Sequence, residues 1–197
     1  DLSFQAGVPV VVYRFPGIFG KWSRPNYNSV VATFCHNVVR GLPIQVMDPN
    51  RSVELVYVDD VVGAFLGLLD RVDGVRGFSR AAISPSFDVE LGRLADLIRS
   101  FKEQRQSGIL PELGDPFVRR LYSTYLSFLP ADDLAYAPKV RADARGSLVE
   151  LIKAGDPGQV FISRTLPGIT RGHHYHDSKV EKFVVLEGSA VVRLRNM

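Results

Sequence analysis

The sequence predicts a mixed α/β chain, with an α/β region over residues 1–132 and an all-β region over residues 133–197. Three observations carry this. Val8-Pro-Val-Val-Val-Tyr13 is a short continuous apolar run rich in β-branched residues, the pattern of a strand buried on both faces of a parallel sheet. Strand-like runs then alternate with segments of helical period as far as Pro130. Beyond it the helical period disappears, and short β-rich runs are punctuated by glycine and proline.

Taken in order, Arg14 to Gly20 reads as the loop after the first strand. A helix is predicted from Ser29 to about Arg40, because Val30, Phe34 and Val38 share one face and Gly41 ends the run. Ile44–Met47 and Val53–Val58 read as strands, and Asp59 as the N-cap of a helix from Asp60 to about Leu69. Gly63 and Gly67 in that helix suit helix packing. Ser86 is a candidate cap for a helix that puts Leu91, Leu94, Ile98 and Phe101 on one face. A further helix is predicted from Pro116 to Phe128, followed by a linker from Ala131 to Pro138. In the β-rich region, strands are predicted at Ser147–Ile152, Gln159–Ser163, Phe183–Leu186 and Ala190–Leu194. The chain starts at Asp1 without Met and stops at Met197 inside a strand-like run, so it reads as a fragment.

Composition narrows the function classes. A net charge of +3, with no block of Lys and Arg interleaved with aromatics, points away from nucleic acid. The single cysteine, Cys35, allows no internal disulfide and fits a reducing compartment, so a cytoplasmic location is expected. No apolar run approaches the ~18 residues a membrane span requires, and no signal-peptide pattern is visible.

The chemistry concentrates in Gly172-His-His-Tyr-His-Asp-Ser-Lys-Val-Glu-Lys-Phe183, which holds three of the four histidines. His174 and His176 are two apart, so on a strand both imidazoles face one way. Glu181 can return to the same face across the turn Asp177–Val180. Two imidazoles and a carboxylate make a divalent-metal site at the border between zinc and iron, with zinc the expected ion. The competing reading is a polar strand whose histidines face water. His173 alternates to the opposite face. Tyr175 to Lys179 spells Tyr-x-x-x-Lys, but between metal-ligand candidates rather than on a helix.

Lys21, Arg24 and Asn26 lie in the loop after the first strand, where the ends of parallel strands bind ligands in α/β folds. Arginine there suits a diphosphate; the alternative is a solvated basic loop. Trp22 and Tyr27 offer rings for stacking on a base or sugar, or for ordinary packing. Asp59 and Asp60 look like an acid/base pair, but capping of the next helix is the simpler reading.

Gly168, His174, His176, Glu181 and Gly188, at these spacings, resemble the first conserved motif of the cupin β-barrels, in which the two His and the Glu bind metal. The family's further histidine belongs to a second, downstream motif. Arg14-Phe-Pro-Gly-Ile-Phe-Gly20 and Tyr57-Val-Asp-Asp60 resemble the second half of an extended short-chain dehydrogenase/reductase domain of Rossmann type. The glycine-rich dinucleotide turn and the helical Tyr-x-x-x-Lys of such enzymes are not among these residues, so no reductase activity is expected of this fragment alone. Taken together with Phe19 to Asn37, Leu121 to Pro130 and Arg145-Gly-Ser147, the chain resembles the CapF-type bifunctional capsular-polysaccharide enzymes, UDP-2-acetamido-2,6-dideoxy-L-talose synthases. It departs from them at Gly17 and His173, which stand in asparagine positions.

The resemblance implies the C-terminal half of an extended reductase domain followed by the N-terminal half of a cupin barrel. It implies C3 epimerisation of a UDP-4-keto-6-deoxy-aminosugar by the cupin, C4 reduction with NADPH by the reductase domain, and a homodimer. It leaves the catalytic residues unassigned and does not say whether the metal is catalytic or structural. The chemistry is coherent: a C4 ketone acidifies the C3 proton, so removal and return from the other face inverts that centre. The rival readings are a non-catalytic sugar-sensing cupin fused to a degenerate α/β domain and, more weakly, a cupin dioxygenase.

Overall fold

The computed structural model describes residues 8–71, 77–154 and 158–194. In chain order the elements are β1 (Val10–Tyr13), β2 (Gly17–Phe19), α1 (Val30–Val39), β3 (Ser52–Tyr57), α2 (Val58–Leu69), β4 (Phe78–Ala81), β5 (Ser86–Glu90), α3 (Leu91–Ser107), α4 (Pro116–Leu126), a 3-10 turn at Ala131–Asp133, β6 (Val140–Asp143), β7 (Gly146–Ala154) and β8 (Gly158–Thr165). β1 and β4 pair in parallel; β2 lies parallel to β3, which pairs antiparallel with β5. β6, β7 and β8 form an antiparallel meander with an irregularity at Glu150/Ile152. The fold is mixed α/β, as expected.

Local signals account for the helix ends. The Ser29 hydroxyl accepts the Ala32 N–H at 3.2 Å at the start of α1. At its other end Gly41 takes φ +68, and the Gly41 and Leu42 N–H groups donate to the Val38 and Asn37 carbonyls, the left-handed stop that glycine permits. Asp115 accepts the N–H groups of Phe117 and Val118 at 2.7 and 3.2 Å, and Pro116 fills the first helical position, where no N–H is missed. Gly108, also left-handed, ends α3.

The core lies where α1, α3 and α4 meet the sheet of β2, β3 and β5. Phe34, Cys35 and Val38 of α1 close on Leu94, Ile98 and Phe101 of α3 and on Leu121 and Tyr125 of α4, all buried. Each such large apolar side chain contributes ~1.5–3 kcal/mol on leaving water. The predicted apolar face of α3 is therefore the buried one.

Several expectations are corrected. Residues 17–19 form a strand rather than loop, and glycine at 17 has a reason: a Cβ there would lie 2.9 Å from Leu55 Cδ2 on the neighbouring β3. Ile44–Met47 forms no strand. Ile44 and Val46 pack on the core without a partner ladder, and Met47 is fully exposed. Asp59 is not an N-cap, because β3 runs straight into α2 and Tyr57 occupies the cap position with no side-chain bond. Ser86 caps nothing either; it opens β5, whose Val89 is buried by strand alternation, and α3 starts only after Glu90. A methyl at Gly63 would meet nothing within 4 Å, so that glycine serves no helix contact among the described residues.

The segment after Pro130 makes its 3-10 turn and then runs exposed through Leu134 and Tyr136. β7 is tied back to the end of α3, since the Leu110 N–H donates to the Lys153 carbonyl at 3.0 Å and the Lys153 N–H to that of Gly108 at 3.1 Å. β7 and β8 include the strands predicted there, and β6 is an addition. The strands predicted at Phe183–Leu186 and Ala190–Leu194 are not formed: these apolar residues are exposed and make no ladder, and alternation specifies a face only where a second layer covers it. No helix among the described residues is long and apolar enough to cross a membrane.

Candidate metal centre and basic loop

After β8 the chain turns at Gly168 (φ +79) and Gly172 (φ +114), and His173 adopts φ +63. The histidines therefore sit on irregular backbone rather than on a strand. His174 and His176 nevertheless converge, their rings 4.9 Å apart and inclined at 63°. Glu181 reaches the pair, with its Oε1 3.8 Å from His176 Nε2. One ligand atom from each of the three lies within 4.8 Å of the others. Two imidazole nitrogens and one carboxylate fit a zinc-type ion with a coordination position to spare, so the donor set and its spacing suit the ion expected from the sequence.

Lys179 complicates this centre. Its Nζ lies 2.6 Å from Glu181 Oε1, the oxygen that faces His176. The Lys179 hydrogen bond, and then the neighbouring charges, hold the Glu181 carboxyl below the usual glutamate range. The carboxylate is thus kept charged, as a metal ligand must be, while an ammonium group competes for it. Tyr175 and Lys179 lie on no helix, in keeping with the reading that their spacing is coincidental.

The basic loop divides. Lys21 is paired at the surface: its Nζ is 3.1 Å from Asp59 Oδ2 and lies over the Trp22 and Tyr57 rings. The Asp59 hydrogen bond raises its pKa above the usual lysine value. Arg24 is exposed, its guanidinium stacked 5.4 Å from the Tyr27 ring centroid. Asn26 contributes its backbone, whose N–H donates to Thr33 Oγ1 at 2.9 Å. The structure thus does not bring Lys21, Arg24 and Asn26 together as one set of side chains.

Asp60 pairs with Arg120 at 3.0 Å, and the Arg120 guanidinium lies over the Tyr57 and Phe87 rings. The adjacent aspartates are used as two ion pairs, and both favour the positive N-terminal end of α2 from its first turn. Sequence reading did not single out Arg120, nor His36 and Arg40, which line a groove with Trp22 and Arg24. No local spacing marks them, because their neighbours come from distant segments.

Residues 141–197 match the family described as Polysaccharide biosynthesis C-terminal domain. The whole chain is 44% identical over 196 residues to a UDP-2-acetamido-2,6-beta-L-arabino-hexul-4-ose reductase of Pseudomonas aeruginosa, and covers 52% of it. Among solved structures, it superposes on the capsular polysaccharide assembling protein CapF of Staphylococcus aureus with a TM-score of 0.78 and 42% identity, over 89% of this chain and 51% of that one. CapF with the inhibitor 3-isopropenyl-tropolone gives a TM-score of 0.74 at 43% identity, over 84% of this chain and 48% of that one. The chain spans about half the length of these relatives.

Proposed function

We propose, on the premise that this chain is homologous along its length to the Pseudomonas reductase and over most of it to CapF, that it takes part in nucleotide-sugar modification for capsular polysaccharide. The single observation that carries the reading is the 44% identity over 196 residues, which runs across both the α/β region and the histidine cluster. The unit at residues 1–132 is the second half of a reductase domain and the unit at 133–197 the start of a cupin-type metal domain. The exposed turn after Pro130 supports that boundary. The exposed apolar face of α2, with Val62, Leu66 and Leu69, supports packing against further reductase structure.

In this reading the substrate is a UDP-4-keto-6-deoxy-aminosugar, epimerised at C3 in the cupin-type unit and reduced at C4 in the reductase unit, in the cytoplasm and as a homodimer. His174, His176 and Glu181 would hold zinc, which supplies positive charge beside a sugar oxygen and so favours loss of the adjacent proton. NADPH does not fit the residues described here, among which no glycine-rich turn joins a strand to a helix; the dinucleotide is assigned to the part of the relatives outside this span. The chain's own contribution to reduction is to bind and orient the sugar nucleotide beside the loop at residues 21–26.

The test is exchange of the C3 proton with deuterium, followed by NMR in the full-length protein without NADPH. Glu181→Gln, which removes a charged ligand at nearly constant volume, should stop exchange and spare NADPH oxidation on a sugar already inverted at C3. Full exchange in Glu181→Gln would remove the metal centre from the epimerisation and favour a sensing role.

A further inference from the structure

The end of α3 holds two parts of the following region at once. Gly108 turns left-handed at φ +73, and its N–H and that of Ile109 donate to the Gln104 carbonyl, which closes the helix. The chain leaves as Ile109-Leu110-Pro111. Pro111 restricts Leu110 to extended backbone, so this short stretch is preset to pair as a strand. It does so with β7. Ile109 and Lys153 form a parallel bridge, in which the Leu110 N–H donates to the Lys153 carbonyl at 3.0 Å and the Lys153 N–H to the Gly108 carbonyl at 3.1 Å.

The sheet explains where this bridge forms. β6 pairs with β7 only from Gly146 to Val149, whereas β8 pairs with it as far as Ala154. At Lys153 one edge of β7 faces β8 and the other lies beyond the end of β6. An open edge offers unpaired N–H and C=O groups, and Ile109–Leu110 takes them.

Arg105, in the last turn of α3, holds the connecting segment. Its Nη2 donates to the Asp133 carbonyl at 2.6 Å, and its guanidinium lies 5.2 Å from the Tyr136 ring centroid. The negative end of the helix favours a cation at this position. The linker and β7 are thus both fastened by residues 105–110.

Little else joins the two regions. Among the described residues, no helix or strand before the linker packs broadly on β6, β7 or β8. β6 and β8 are exposed along their whole length. The orientation of the β-rich region therefore depends on a few bonds at one helix end. Two of these are backbone hydrogen bonds, and Leu110, the donor of one, is an exposed residue. Water competes for such bonds, so each contributes modestly.

We infer that residues 105–110 form a releasable latch that sets the orientation of the β-rich unit, and with it the candidate metal centre, on the reductase unit. The segment at 131–138 becomes a free pivot only when the latch opens. This rests on the division into two units proposed above. In that reading one sugar is processed in both units, and the latch controls how their sites face each other.

The test is a distance measured by double electron–electron resonance in the full-length protein. Spin labels are carried by Arg93→Cys in α3 and Gln159→Cys in β8, both at exposed positions. Cys35 is buried and takes up no label; any reactive cysteine elsewhere is replaced first. The parent should give one narrow distance. Leu110→Pro, which deletes the N–H donor, should broaden it, whereas Leu110→Ala, which keeps that donor, should not. Arg105→Ala should also broaden it with every backbone donor in place, which keeps the test decisive if the proline variant fails to fold. A broad distribution in the parent would overturn the latch, as would equal broadening by Leu110→Ala. A narrow distance that survives both Leu110→Pro and Arg105→Ala, with the two regions unfolding in separate urea transitions, would overturn the latch and leave the two-unit reading standing. The same narrow distance with a single transition would overturn both.

Discussion

The Arg120 guanidinium lies 3.0 Å from Asp60 Oδ1 and ties α4 to the first turn of α2, while Asp60 Oδ2 is buried without a partner. Both side chains are only 20% exposed. Replacing Arg120 with Met leaves a largely buried carboxylate without its counter-charge. Such a loss costs ~3–5 kcal/mol in a fully buried pair, and here about 2–3 kcal/mol because water still reaches both groups. Lys21→Met, which breaks the more exposed pair with Asp59, should cost less than Arg120→Met because water screens that pair. Urea denaturation of the two variants checks this; equal losses would show that Arg120–Asp60 carries no special weight.

The candidate metal centre yields an opposed pair of substitutions. His174→Ala should abolish zinc binding, read by elemental analysis after dialysis. Lys179→Met should tighten it, because the ammonium 2.6 Å from Glu181 Oε1 competes with the ion for the same oxygen. Equal zinc in wild type and His174→Ala, or weaker binding in Lys179→Met, would refute this geometry of binding.

Asp143 provides a pH test at the β6–β7 turn. Its carboxylate accepts the Arg145 guanidinium at 2.6 and 3.0 Å and the Arg145 backbone N–H at 2.8 Å, and these bonds hold its pKa below the usual aspartate range. A folded pKa below the unfolded one means that the contribution is present in full above the unfolded value, near pH ~3.9. It is lost as pH falls through the folded value. Carbon-13 NMR should therefore find Asp143 titrating below the ordinary aspartate range, and Arg145→Ala should bring it back.

Cys35 should resist alkylation in the native protein. It is fully buried in the α1–α3–α4 core, and burial pushes its thiol well above the ordinary range, so little thiolate forms at neutral pH. Iodoacetamide labelling followed by mass spectrometry should track global unfolding in urea. Rapid labelling without denaturant would mean that this core opens locally.

What the sequence determined by itself is what depends on a few neighbouring residues. Ser29 and Gly41 bracket α1, Asp115-Pro116 starts α4, and the spacing of Leu94, Ile98 and Phe101 marks the buried face of α3, because caps and helical period are properties of a short stretch of backbone. His174, His176 and Glu181 were legible for the same reason: they fall within eight residues, and the geometry brings them together even though the backbone there is not the strand expected. Tertiary structure decided the rest. Asp59 and Asp60 look like caps in sequence, yet Lys21 and Arg120 claim them from 38 and 60 residues away. Ser86 looks like a cap until β3 supplies a partner that makes residues 86–90 a strand. Arg24, His36, Arg40 and Ser127 meet at one groove only because α1 and α4 pack side by side. Local rules set how a segment folds, whereas a distant side chain finds its partner only when the core has placed both backbones, and no spacing in the sequence encodes that distance.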